Sequence, residues 1–427
     1  MTEWREVKLS DLISIKHGYA FKGEFFSEEE TPYILVTPGN FNIGGSFKSD
    51  KFKWYKGEIP TDYILKKDDL IVTMTDLSKN GDTLGYSALV PELNRKVLLH
   101  NQRIGLVEIK SQKIDKFFLY WLMRTSVYQK SIVNTASGST VKHTSPDRVC
   151  QFSFPPLDIQ RKIAGILGAL DDRIDVLRRE NVVLEQMAQA VFQSWFVDFD
   201  IVRAKAAGTP ESEVCEKYHI TPELYALFPS ALTPDNLPLG WEKKKLGELV
   251  QNIKKSVKPS METEHKPYVP IDCITAKTLT LYDFKDGKEA QSSLISFESR
   301  DILFGAMRAY FHKVCIAPFA GTTRSTVFCL RPKAPKDFSF ALLSIFQNRC
   351  ISYASQNSKG TTMPYAVWDN NLSEYQTEAS TEDMRIAFNE YLGNSFDKMM
   401  LNAQQIRALS ATRDALLPKL MNGEIEV

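Results

Sequence analysis

From Asp158 to Val197 the chain carries no proline, and its only glycines there are Gly165 and Gly168. Apolar residues fall at Ile163, Ile166, Leu170, Ile174, Leu177, Leu184, Val191 and Trp195, with Asn181 and Ala188 filling the remaining places of a 3-4 alternation. That is the heptad seam of a coiled coil. At about 1.5 Å per residue the segment predicts a rod of about 60 Å. Phe154-Pro155-Pro156 marks the lead-in, and Asp158 is the expected cap. A second rod is expected from about Thr381 to Met421, with Phe388, Leu392, Met399, Asn402, Ile406, Leu409, Leu416 and Leu420 at similar spacing and Arg413 in the seam. Pro418 stands near its end, and Asn422-Gly423 supplies the stop. Neither rod can bury its seam alone, so the two are expected to pack on each other.

The remaining chain is patterned differently. Short β-branched and aromatic runs predict strands at Tyr33-Ile34-Leu35-Val36, Leu70-Ile71-Val72, Ile104 to Ile109 and Thr326 to Leu330. Apolar helical patches cover Phe117–Val133 and Phe338–Ala354. These features repeat. Trp4-Arg5-Glu6-Val7-Lys8-Leu9-Ser10-Asp11-Leu12 parallels Trp241-Glu242-Lys243-Lys244-Lys245-Leu246-Gly247-Glu248-Leu249. In the same order, Pro32-Tyr33-Ile34 parallels Pro267-Tyr268-Val269, and Asp69 to Val72 parallels Asp301 to Phe304. Ser137 to Thr140 then parallels Lys359 to Thr362. A period this long means a duplicated domain rather than a solenoid. Asp198 to Gly240, rich in Pro and Gly turn signals, reads as an extended connection with short helices. The expected fold is therefore α+β: two mixed globular copies, 1–156 and 241–376, with long helices over 157–200 and 377–427 and a connector over 201–240.

Composition alters this picture little. Hydrophobic residues make up 43% of the 427 and charged residues 25%, the balance of a globular protein. No stretch approaches the ~20 apolar residues of a membrane span, and the first residues do not read as a signal peptide. No membrane partner is expected, and the cytoplasm is the expected compartment. The six cysteines form no C-x-x-C pair and read as buried free thiols.

Catalytic motifs are missing: no phosphate-binding G-x-x-x-x-G-K-[ST], no G-x-S-x-G and no H-E-x-x-H. Asp235 followed by Glu242-Lys243-Lys244 has the residue types of a metal-dependent nuclease centre. Its tight spacing in a proline-rich stretch favours an accidental match. The chain offers duplicated polar loops instead, Gly138-Ser139-Thr140-Val141-Lys142-His143 and Gly360-Thr361-Thr362-Met363-Pro364-Tyr365. Such loops can hold phosphate oxygens. Arg103 and Arg324 stand at similar points, each just before a strand, where an arginine either contacts DNA or forms a local salt bridge. Phe47 to Lys56 interleaves aromatic and basic residues, as a DNA-facing edge or an exposed amphipathic strand would. Lys51, Lys53, Arg103, Ser139, Thr140, Lys142, Arg308, Arg324, Thr361 and Thr362 are the candidate DNA contacts. No catalytic or metal-binding residue is expected.

Leu170-Asp171-Asp172-Arg173-Ile174, Met187 to Asp200 (Met-Ala-Gln-Ala-Val-Phe-Gln-Ser-Trp-Phe-Val-Asp-Phe-Asp) and Val202-Arg203-Ala204-Lys205 resemble the central conserved region of Type I restriction–modification specificity subunits. Leu416 to Ile425 resembles the end of that family's distal conserved region, and Pro155 to Ile163 its lead-in to the first rod. The second lead-in, Tyr375 to Glu382, lacks the paired prolines. The resemblance implies a subunit without catalysis. Each globular copy would be a target-recognition domain reading half of a split double-stranded DNA sequence. The rods would form an antiparallel coiled coil relating the copies by a pseudo-twofold axis and spacing the half-sites. It implies two methyltransferase subunits and restriction/translocase subunits as partners. S-adenosylmethionine, ATP and Mg²⁺ would be held by those partners, none by this chain. Trp195, Phe196, Leu417 and Leu420 are the candidate partner-docking residues. A coiled-coil scaffold that binds no DNA is the alternative.

The net charge of +1 hides an uneven distribution. Residues 1–156 carry 21 basic and 18 acidic side chains, and 241–376 carry 19 and 13. Residues 157–240 carry 8 and 13, and 377–427 carry 5 and 8. The globular copies are mildly basic, as DNA readers would be, and the helical parts are acidic. Excesses this small predict weak DNA binding by the chain alone.

Overall fold

The computed structural model describes residues 4–49, 51–76, 82–135, 142–143, 151–290 and 292–427. The chain divides into two units, one of residues 1–172 with 410–427 and the other of residues 173–409. Each unit contains one globular copy and a stretch of both long helices.

The first copy is built on a four-stranded antiparallel sheet in the order Ile13–His17, Ile104–Ile109, Leu70–Thr73, Ser87–Leu89. Leu70–Thr73 is buried along its whole length, which is why its sequence is a continuous apolar run. A second sheet of five short strands includes Tyr33–Val36 and Val97–His100 as a parallel pair. Arg5–Lys8 pairs with Gln151–Phe154, joining the two ends of the copy. The apolar patch folds as two helices, Lys116–Leu122 and Ser126–Thr135. Asp115 caps the first by accepting from the N–H groups of Phe117 and Phe118 at 2.9 and 3.0 Å. Phe118, Trp121 and Tyr128 bury against Phe154 and Leu167.

The second copy repeats the scaffold. Its four-stranded sheet runs Val250–Ile253, Val327–Pro332, Ile302–Gly305, Val314–Ile316, all antiparallel. This is the order and direction of the first copy's sheet. Glu242–Lys245 pairs with Gln376–Ala379 as Arg5–Lys8 pairs with Gln151–Phe154. That strand crosses the expected boundary at 376. Without paired prolines the sequence does not mark it, yet strand pairing carries the copy on to Ala379. The copies differ in their second sheet, which here has three strands, Ser256–Val257, Leu294–Phe297 and Gly321–Thr323.

The long helices run Leu157–Phe196 and Glu382–Met421. Asp158 lies in the first turn of its helix, one residue inside the start. Gln160 anchors that turn, accepting from the Asp115 N–H at 2.9 Å and donating to the carbonyls of Lys113 and Pro155. Within residues 173–409 the helices are antiparallel: Asn181 meets Asn402, and Phe192 meets Phe388. In the other unit the seam position Arg413 is matched by Asp171 of the facing helix, which also accepts from Arg124 at 2.9 Å. A charged seam residue is tolerated because its counter-charge is supplied at the same level.

The stretch from Asp198 to Gly240 is folded rather than extended. Three short helices, Asp200–Ala206, Glu211–Tyr218 and Pro222–Ala226, bury Ile201, Val202, Val214, Ile220 and Phe228 in the core of the second unit. Lys205 Nζ ties them together, donating to the carbonyls of Tyr225 and Phe228 at 2.9 and 2.6 Å. The prolines set turns between helices whose apolar residues face one core. The first long helix ends at Phe196, and a separate helix begins at Asp200, with Phe199 between them in the left-handed conformation (φ 56°).

Among the described residues no helix is long and apolar enough to cross a membrane. Cys273, Cys315, Cys329 and Cys350 are buried free thiols. Burial pushes Cys273 up to about 11 and both Cys329 and Cys350 up to about 12.

Candidate nucleic-acid interface

The described end of the first polar loop, Lys142-His143, and the second polar loop lie at the same place in their copies. In the first, Lys142 and His143 pair antiparallel with Asp76 and Thr75, directly after the buried strand Leu70–Thr73. In the second, Tyr365 bridges Met307, just after Ile302–Gly305, and the Arg308 N–H donates to the Pro364 carbonyl at 2.7 Å. The second loop is closed by reciprocal Lys359 and Tyr365 backbone bonds of 2.9 Å. Gly360, at φ +90°, makes the turn.

A third segment joins each pair. The Arg103 carbonyl accepts from the Met74 N–H at 3.1 Å, and the Thr326 carbonyl accepts from the Ala306 N–H at 2.8 Å. The structural counterpart of Arg103 is therefore Thr326, and Arg324 stands two residues earlier. The three-residue connections 101–103 and 324–326 are of equal length, with the arginine at the last place in one and the first in the other.

Arg103, Arg324, Thr361 and Thr362 are exposed, and Arg308 is half-buried. None of these arginines takes part in an ion pair among the described residues. Ser139 and Thr140 lie outside the described residues, and of Lys142 only the backbone pairing is described. Arg324 lines a cleft of about 290 Å³ with Tyr268, Asp272, Lys285, Met307 and Thr326. There Lys285 Nζ lies 2.7 Å from Asp272 Oδ2, and this hydrogen bond holds the Asp272 carboxyl below its usual range.

Lys51 and Lys53 belong to a different surface. Both are exposed, on and beside the strand Lys53–Tyr55 of the five-stranded sheet. Lys53 Nζ sits 4.1 Å over the Phe26 ring, and the Lys51 carbonyl accepts from Asn40. Tyr55 of the same interleaved run is buried against Phe21, so only part of the run faces outward.

Sequence reasoning overlooked the residues beside Arg308. Ala309–Phe311 is a single 3-10 turn held between two left-handed residues, Arg308 (φ 51°, ψ 58°) and His312 (φ 54°, ψ 56°). Each costs about 1–3 kcal/mol in a residue with a side chain. The turn is pinned by the buried His312, whose ring lies 4.5 Å from Phe346 and whose carbonyl accepts from the Lys277 N–H at 2.8 Å. Burial pushes the His312 imidazole down. Tyr310 and Phe311 consequently stand outward. The run Arg308-Ala309-Tyr310-Phe311-His312-Lys313 carries the basic and aromatic interleaving that could have flagged it.

The side chains expected to dock a partner are taken up in this chain's own core. Trp195 and Phe196 are 2% and 1% exposed, among Phe192, Phe340 and Phe388. Phe196 lies 4.7 Å from Phe388 and 5.4 Å from Trp241, ring to ring. Leu420 is 1% exposed, and Leu417 packs half-buried on the same cluster. An apolar residue at a helix seam is as useful to its own fold as to a partner, and the sequence does not separate the two. The apolar side chains that the first long helix does expose are Val176, Val182, Val183 and Met187 in the second unit, with Ile166 in the first.

Glu242, half of the nuclease-like coincidence, pairs at 3.1 Å with Lys244 on its own strand. Among the described residues no group of three His, Cys, Asp or Glu is placed to hold a metal ion.

Comparison with known proteins falls on the duplicated scaffold. The family described as "Type I restriction modification DNA specificity domain" matches residues 1–186 and 238–375. The specificity subunit of the Type I restriction enzyme HindI from Haemophilus influenzae is 26% identical over 411 residues, covering 81% of this chain and 87% of the relative. That of MjaIX from Methanocaldococcus jannaschii is 26% identical over 363 residues, covering 81% and 76%. The solved Type I restriction–modification S subunit from M. genitalium shares the fold at a TM-score of 0.53 and 15% identity, covering 98% of this chain and 96% of that one. With the match lying on both copies and on most of the helix that follows the first, the chain belongs to the Type I restriction–modification DNA specificity family.

Proposed function

We propose that this chain is the DNA-reading subunit of a Type I restriction–modification enzyme, in which each globular copy reads one half of a bipartite double-stranded target. The observation that carries the reading is the repeated construction in which Lys142-His143 in one copy and the loop Gly360–Tyr365 in the other lie beside the buried central strand, with arginines nearby that form no ion pair among the described residues. Two copies of one scaffold with different surface residues suit an asymmetric, split sequence. Arg103 serves the first copy, and Arg308, Arg324, Thr361 and Thr362 serve the second. Arginine suits these places because it reaches base edges or phosphates through a planar fork of donors. Lys51 and Lys53 stand farther along the first copy as phosphate contacts. The charge excess sits in the globular copies, where such contacts are needed.

Methyl transfer and cleavage belong to partner subunits, which bring S-adenosylmethionine, ATP and Mg²⁺. The paired long helices set the spacing of the half-sites and carry the docking surface for the methyltransferase subunits. Val176, Val182, Val183 and Met187 supply that surface in place of the buried Trp195 and Phe196.

Mapping methylated adenines in the DNA of cells with and without the gene tests the reading. Loss of methylation at one split, asymmetric sequence is expected. An unchanged map would refute the assignment. Binding to duplex DNA should also weaken steeply with salt, because each neutralised phosphate releases counterions.

A further inference from the structure

Tyr310 and Phe311 are 52% and 47% exposed, side by side, with ring centroids 4.8 Å apart. Met363 and Tyr365 of the adjoining polar loop are 52% and 49% exposed. Four large apolar or aromatic side chains thus share one surface, joined by the backbone contacts of Arg308 with Pro364 and of Met307 with Tyr365. Such a patch on a water-soluble surface calls for an occupant. The charges around it say which kind. Lys277, Arg308, Arg324 and Lys359 border the patch, and none is paired with a carboxylate among the described residues. Two carboxylates line the neighbouring cleft: Asp272 is matched by Lys285, and Glu289 stands against the four cations as the one further acidic group of its lining. Unneutralised cations around exposed rings fit a polyanion with flat apolar faces, which is the chemistry of a nucleic acid.

The backbone adds a second argument. The turn is held on both sides by left-handed residues and pinned beneath by buried His312, so the backbone that carries the two rings is fixed in one conformation. A rigid apolar projection is what is needed to enter a base step, because opening a stack costs energy that a mobile side chain would lose again on being ordered.

We infer that Tyr310 and Phe311 form an aromatic wedge that enters a base step within the half-site read by the second copy and stacks on the base it unstacks. This rests on the DNA-reading function proposed above. It adds a distortion of the target to the direct contacts made by Arg308 and the polar loop. Extrusion of a base for chemistry is easier beside a step already opened.

The test uses the chain co-purified with its methyltransferase partner and duplexes carrying the mapped target. 2-Aminopurine is placed in turn at each position of the second half-site. The unaltered complex should raise its fluorescence several-fold at one step, and the Tyr310→Ala/Phe311→Ala variant should lose most of that rise. The variant should also bind the intact duplex at least tenfold more weakly and recover most of that loss on a duplex mismatched at the same step. Tyr310→Phe with Phe311→Tyr should keep both properties, and unchanged thermal melting of the variants confirms folding. An undiminished fluorescence rise in the double-alanine variant overturns the wedge while the DNA-reading function stands. So does unchanged DNA affinity with loss of the methyltransferase subunit, which would give this face to a protein partner. Absence of any sequence-dependent binding by the unaltered complex would remove the DNA-reading function itself, and the wedge with it.

Discussion

Asn402 donates its side-chain N–H to the side-chain oxygen of Asn181 at 2.9 Å, from one long helix to the other, with both residues buried. Asn181 in turn donates to the Met399 carbonyl at 3.1 Å and reaches Thr280 Oγ1 at 3.4 Å, while Asn402 also donates to Glu180 at 2.9 Å. The two polar interruptions of the apolar seams are thus one node. The two buried amides pair only when the helices meet in this register, while the Asn402 side-chain oxygen accepts no hydrogen bond among the described residues, so the node selects a register at a cost in stability.

Breaking one side of the node should be costlier than removing it. Asn402→Leu leaves the buried Asn181 oxygen without its donor, at a cost of about 1–3 kcal/mol. Adding Asn181→Leu should restore part of that loss, giving a favourable coupling of about 1 kcal/mol in a double-mutant cycle. Urea unfolding of the four proteins measures it. Strictly additive losses would show that the two amides are not a unit.

Glu185, also on the first long helix, accepts from the Leu279 N–H at 2.8 Å, the Thr278 hydroxyl at 3.0 Å and the Gln189 amide at 3.1 Å. Burial nonetheless dominates and raises its carboxyl above the ordinary value of 4.5, against the pull of those hydrogen bonds. An acid whose pKa is raised by folding binds more protons when folded. Its contribution to stability is therefore greatest below the unfolded value and is lost as pH rises through the folded one. Glu185→Gln keeps an acceptor without the charge. Its melting temperature should gain on the natural protein's between pH 4.5 and pH 7. A difference that is flat across that window would contradict the burial argument.

Arg103→Ala and Arg308→Ala should each weaken binding to the duplex target. If the side chain meets a phosphate, the salt slope falls by about 1. If it reads a base, about 1–3 kcal/mol of discrimination is lost at one position. The effects should fall on opposite half-sites, which titration of duplexes altered in one half at a time will separate. Natural affinity and natural slope would exclude that residue as a contact.

Adding one heptad to each long helix, in register across the Asn181–Asn402 node, lengthens the pair by about 10 Å, or roughly three base pairs of DNA. Methylation mapping should show the same half-sites with a longer spacer. An unchanged spacer would show that the helices do not set it.

Elements governed by local pattern could be read from the sequence alone. Leu70 to Val72 is a buried strand, and Ile104 to Ile109 is a strand buried over its first part and exposed at Glu108 and Ile109, because β-branched and apolar runs of this length suit strands. The 3-4 spacing from Ile163 to Trp195 is helical because it keeps one face of the 40-residue helix Leu157–Phe196 mostly apolar. The duplication was legible because strands and their flanking residues were kept while loops changed length.

What depends on pairing between distant segments was decided only by the fold. The 3-4 spacing set Asn181 and Asn402 in the two seams without saying that they meet; packing of the two helices joins and buries both. It marked Trp195 and Phe196 without saying that they fill this chain's own core. It aligned Arg103 with Arg324, but hydrogen bonding to the neighbouring strand puts Thr326 in that place. It gave Tyr310 and Phe311 no special standing. Their exposure follows from two left-handed residues and a buried histidine, and backbone strain of that kind has no period along the chain. Local pattern thus set the elements, the duplication and the family. The choice of which side chains are spent on the core and which are left for a partner was made by contacts between residues far apart in sequence, where no spacing rule reaches.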